Sequence, residues 1–72
     1  MKKIKKIKIN VNGKLKIISD KSKISDLVRD LKIPLKKVAI EVNQEIIDKK
    51  NIRKIYLKKD DKIEIVHFIG GG

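Results

Sequence analysis

Asn12-Gly13 sits between two runs in which every second residue is aliphatic. No other stretch narrows the fold as far. Ahead of the dipeptide, Ile7, Ile9 and Val11 alternate with Lys6, Lys8 and Asn10; behind it, Leu15 and Ile17 alternate with Lys14 and Lys16. A period of two is the side-chain period of a strand with one covered face. Asn-Gly suits the two-residue type I′ turn, whose central residues both need positive φ. The expectation is an antiparallel hairpin with Ile7, Ile9, Val11, Leu15 and Ile17 on one apolar face. Lys8, Lys14 and Lys16 then stand on the wet face, where lysines also discourage edge-to-edge pairing.

After the hairpin the period changes. Ile24, Leu27, Val28 and Leu31 fall at i, i+3, i+4 and i+7, one stripe of a helix. Ser22 is the expected N-cap, and Asp26 in the first turn suits the helix dipole. Pro34 is expected to stop the helix, since it has no N–H to donate and biases Ile33 toward extended geometry. Two turns of helix hold only by packing their stripe on a sheet. Val38, Ile40 and Val42 then restore the period of two, Asn43-Gln44 reads as a turn, and Glu45-Ile46-Ile47 as a short fourth strand. Residues 48–54 are polar around an isolated Ile52, and Lys58-Lys59-Asp60-Asp61 reads as a solvated charged turn.

The last strand begins at Ile63 and Ile65 and runs without a polar spacer into Gly70-Gly71-Gly72. Parity turns Val66 and Phe68 to the face opposite Ile63 and Ile65, and leaves His67 at the rim. The element order implies an α+β fold: a mixed four- to five-stranded sheet with one helix on one face. The final strand most economically pairs beside the first, in the middle of the sheet. The expected organisation is one domain, 1–68, and a flexible tail, 69–72. Four residues of tail reach at most about 14 Å. Glycine leaves the backbone mobile and places no Cβ beside the terminal carboxyl carbon, so a narrow cleft can admit it.

Composition removes several functions. The 72 residues contain no cysteine, which excludes disulfides, thiolate zinc sites and an internal thiol nucleophile. His67 is the single histidine, and adjacent Asp60-Asp61 alone cannot supply the six to eight oxygens calcium takes. His67 also has no carboxylate or nucleophile placed to work with it as a catalyst. No apolar run approaches the roughly 20 residues of a membrane span. The lysine-rich start has no apolar stretch after it and is not a secretory signal. A cytoplasmic monomer is expected. The net charge of +11 invites a nucleic-acid reading, but only two of the 20 basic residues, Arg29 and Arg53, are arginine. Tyr56 and Phe68 are the only aromatics available for stacking. No specific nucleic-acid partner is expected, only weak, salt-sensitive attraction to polyanions.

The chain resembles the ubiquitin-like β-grasp family and, within it, the sulfur carriers of thiamine biosynthesis. The resemblance rests on Val11-Asn12-Gly13-Lys14, on Ile24-x-x-Leu27, on Val38-Ala39-Ile40-Glu41-Val42-Asn43, and on Asp61-x-Ile63-Glu64-Ile65-Val66-x-Phe68-Ile69-Gly70-Gly71-Gly72. Gln44 and Asp60 stand where the family commonly has glycine. The resemblance implies that an adenylating enzyme activates the Gly72 carboxylate with ATP. Sulfur from a cysteine-desulfurase route then converts it to a thiocarboxylate, which thiazole synthase consumes. On this view the chain is not an enzyme and binds no cofactor; ATP and the sulfur donor belong to its partners. Gly70 and Gly71 give access to the reacting carbon, and Val66, Phe68 and Ile69 form the partner-binding grip. A carrier for molybdopterin synthesis, a ubiquitin-like protein modifier and a basic β-grasp RNA-binding module remain the alternatives.

Overall fold

The computed structural model describes residues 5–68. In chain order the elements are β1 (Lys6–Val11), β2 (Lys14–Ser19), α1 (Ile24–Asp30), β3 (Val38–Val42), β4 (Glu45–Ile46) and β5 (Lys62–His67). The five strands form one sheet in the order β2-β1-β5-β3-β4. β5 pairs parallel to β1 and antiparallel to β3. The last strand therefore lies in the middle, beside the first, as expected. Ile9 of β1, Val38 and Ile40 of β3, and Ile63 and Ile65 of β5 line the covered face and meet Ile24, Leu27 and Val28 of the helix. Ile52 and Leu57, from the long connection before β5, complete this core. Removing each such side chain from water stabilises the fold by roughly 1.5–3 kcal/mol.

The hairpin departs from expectation on one strand. Asn12 and Gly13 both have positive φ, +51° and +83°, as the two-residue turn requires. That turn pairs Val11 with Lys14, Ile9 with Lys16 and Ile7 with Ile18. Cross-strand partners share a face, so Lys14, Lys16 and Ile18 lie on the helix side. Leu15 and Ile17 face the other way and are 66% and 57% exposed. Alternation read along β2 alone gives the spacing; the even-length loop inverts its phase. The helix side of β2 therefore offers lysine stems near the end of α1, and Leu31, expected in the buried stripe, stays partly open at 39%.

Both helix ends also differ in detail. Lys23 occupies the N-cap position in place of Ser22. Its side chain has no acceptor, so the cap comes from Asp26, whose Oδ2 accepts the Lys23 N–H at 2.8 Å. At the other end Ile33 N donates to Val28 O and Lys32 N to Arg29 O. This is the Schellman closure, with Lys32 at φ +55° in the place glycine usually takes. The helix thus ends before Pro34 is reached. Asn43 and Gln44 turn between β3 and β4 with φ of +52° and +73°, completing a second tight turn without glycine.

Candidate functional site

β5 leaves the sheet at its centre. On the β3 side its support continues to the end: His67 pairs with Val38, and Phe68 N donates to Lys37 O at 2.8 Å. On the β1 side it stops earlier, because β1 ends at Val11 opposite Ile63. The Asn12 N–H donates to Ile63 O at 2.9 Å, and the next donor on β5, Ile65 N, reaches Asn12 Oδ1 at 2.8 Å.

Val66 and Phe68 point away from the helix, half exposed at 50% and 55%. Val66 lies across from Ala39, and Ile46 projects from β4 on the same face, because Glu41 pairs with both Ile46 and Glu64. The Lys49 ammonium stands 5.4 Å from the centroid of the Phe68 ring, near the Lys37 backbone that holds Phe68 N. The face at this end of β5 is thus apolar with a cationic border. His67 is exposed at the rim, as its position at the strand end implied. Ile69, Gly70, Gly71 and Gly72 lie outside the described residues.

The start of β5 is held by a polar cluster that the reading of Lys58 to Asp61 as a solvated turn missed. Asp61 is buried, with 9% of its surface exposed. Its carboxylate accepts Lys58 N at 2.7 Å and Asn43 Nδ2 at 2.9 Å. Asn43 Oδ1 in turn accepts Lys62 N at 2.9 Å, and Asn43 N donates to Lys62 O at 2.8 Å. A buried carboxylate needs such donors to replace lost water. The signal available in sequence was the Asn43-turn and the Asp61-x-Ile63 start; the 18-residue separation of the partners hid their meeting. Among the described residues no three His, Cys, Asp or Glu side chains gather to hold a metal ion. No described helix is long and apolar enough to cross a membrane.

The ThiS family profile matches residues 5–72. The chain belongs to the ThiS family. It is 42% identical to the sulfur carrier protein ThiS of Bacillus subtilis over 65 residues, 89% of this chain and 98% of that one. A solved structure of the thiamine biosynthesis protein ThiS from Geobacter metallireducens superposes with a TM-score of 0.80 at 26% identity, covering 92% of this chain and all of that one. The chain is also 36% identical over 66 residues to a thiazole synthase of Paramagnetospirillum magneticum. That match takes in 92% of this chain but only 20% of the relative, so a ThiS-like unit there is one-fifth of a much longer protein. The sheet order and the single covering helix agree with the ThiS β-grasp, the fold class expected from the sequence.

Proposed function

We propose that this chain carries sulfur for thiazole formation in thiamine biosynthesis, as a protein substrate rather than a catalyst. The observation that carries the reading is the family match running through Gly72, on a scaffold whose central strand, β5, is the last element before the glycines in sequence. The Gly72 carboxylate attacks the α-phosphorus of ATP in a ThiF-like activating enzyme, releasing pyrophosphate. The outer sulfur of a persulfide supplied through a cysteine-desulfurase route then attacks the acyl carbon and AMP leaves; a partner thiol cleaves the resulting acyl disulfide, releasing the thiocarboxylate and leaving a disulfide on the partner side. The net change is one oxygen exchanged for one sulfur.

The physical logic follows from the residues. A free carboxylate resists nucleophilic attack until an adenylate gives it a leaving group. With no cysteine in the chain, no internal thiol intercepts that adenylate. Gly70 and Gly71 let the carboxylate enter a narrow cleft, since no side chain widens the tail. Val66 and Phe68, with Ile69, supply the apolar grip for the activating enzyme and the thiazole synthase; an apolar patch with a polar rim marks an interaction site. The thiazole synthase relatives that contain a ThiS-like unit in the same polypeptide favour this acceptor over a molybdopterin or protein-modifier role. The test is ATP–pyrophosphate exchange by the activating enzyme with the intact chain and with one lacking Gly71 and Gly72. Exchange that requires the two glycines supports the reading; equal exchange by the truncated chain refutes it.

A further inference from the structure

The geometry points to Asn12 as a positioning residue for the apolar end of β5, the face that carries Val66 and Phe68. This assignment rests on the carrier reading above. In a parallel pair, a residue of one strand donates its N–H to one carbonyl and accepts from the N–H two residues further along. Asn12 N meets the first half of that pattern by donating to Ile63 O. Its own carbonyl would normally accept Ile65 N. Asn12 instead turns at φ +51° to begin the two-residue loop, and its side-chain Oδ1 accepts that N–H at 2.8 Å. The amide side chain thus stands in for the backbone acceptor and extends the ladder one step beyond the end of β1.

That added bond lies 53 residues from Asn12 in sequence and one residue before Val66. Beyond it the β3 side continues to hold the strand, through Ala39, Val38 and Lys37. A strand held from one side swings about that side, whereas a strand held from both has a fixed direction. Asn12 therefore sets the direction in which β5 presents Val66 and Phe68. Asn43 makes a matching contact at the other end, where Oδ1 accepts Lys62 N, but that contact fixes the strand's entry.

The chemistry of the turn separates two roles of Asn12. Glycine tolerates positive φ but has no acceptor; aspartate tolerates it less well than glycine but keeps an acceptor oxygen. The experiment compares Asn12→Gly, Asn12→Asp and Asn43→Gly in two measurements: amide hydrogen exchange across β5, and the kinetics of ATP–pyrophosphate exchange with the activating enzyme. Asn12→Gly is expected to stay folded, with the Ile65 amide exchanging about tenfold faster and core amides such as Ile40 unchanged, as loss of one hydrogen bond implies. Its KM for the chain rises about tenfold with kcat little changed, because the direction in which Val66 and Phe68 meet the enzyme is no longer fixed. Asn12→Asp restores both. Asn43→Gly lowers stability but leaves KM near wild type.

Wild-type Ile65 exchange and KM in Asn12→Gly overturn the assignment. An equal rise in KM for Asn43→Gly also overturns it, since general loosening then explains both. If the wild-type chain supports no exchange with the enzyme, the carrier reading fails and the positioning role fails with it. That failure is recognisable because Asn12→Gly still accelerates Ile65 exchange.

Discussion

Replacing Asp61 with alanine takes one buried carboxylate away from two donors. Lys58 N and Asn43 Nδ2 lose acceptors at 2.7 and 2.9 Å, and Asn43 loses the partner that orients its Oδ1 toward Lys62 N. Hydrogen bonds to a charged group contribute about 1.5–3 kcal/mol each, and a buried donor left without a partner costs about 1–3 kcal/mol. The cluster lies near the surface, where water reaches part of it, so the lower ends apply and the summed loss is about 2–3 kcal/mol. A domain of this size has roughly 4–11 kcal/mol of stability in total. A loss of that order lowers the melting temperature by roughly 10–20 °C. Urea denaturation followed by circular dichroism measures it, with Glu64→Gln, an exposed change on β5, as the charge-matched control. The midpoint should fall for Asp61→Ala and barely move for Glu64→Gln. A double-mutant cycle with Asn43→Ala should show coupling above about 0.5 kcal/mol, as for residues in direct contact. An Asp61→Ala protein within 0.5 kcal/mol of wild type would refute the account of how β5 is anchored, and Asp61 would then be the solvated turn residue its sequence context suggests.

Three further outcomes follow from the geometry. Ile17→Thr should leave stability within about 0.5 kcal/mol, while Ile9→Ala costs about 2–5 kcal/mol; equal losses in urea melts would mean that β2 is paired in the opposite phase. Lys32→Gly should stabilise the fold by about 0.5–1 kcal/mol, since glycine takes the left-handed helix end without the strain lysine bears there. Phe68→Asp should leave the melting curve nearly unchanged yet weaken binding to the activating enzyme at least about tenfold in calorimetry; unchanged affinity would remove Phe68 from the grip.

The parts of this fold that local sequence spells out are those whose signals lie within a few residues. Ile7, Ile9 and Val11, Val38, Ile40 and Val42, and Ile63 and Ile65 all announce their strands and their inward face by alternation. The central place of β5 is the most economical pairing for a last strand beside the first. What stayed hidden depends on pairing. Leu15 and Ile17 keep the right period but face outward, because a two-residue loop pairs odd-numbered with even-numbered residues. Leu31 has helical spacing but meets the lysine side of β2. Asp61 looks like one more surface charge until Asn43 is brought against it. At the candidate site, parity placed Val66 and Phe68 on the outer face, where both stand half exposed. The second use of Asn12, as acceptor for Ile65 N, was illegible because the turn motif already accounted for the residue.

The most direct test of the carrier account is the intact mass of this chain purified from cells that are making thiamine. The account predicts a fraction heavier by the exchange of one oxygen for one sulfur, with fragmentation placing the change at Gly72. That fraction should disappear when the activating enzyme is deleted. A chain of unmodified mass under those conditions, or sulfur mapped to any residue other than Gly72, would contradict it.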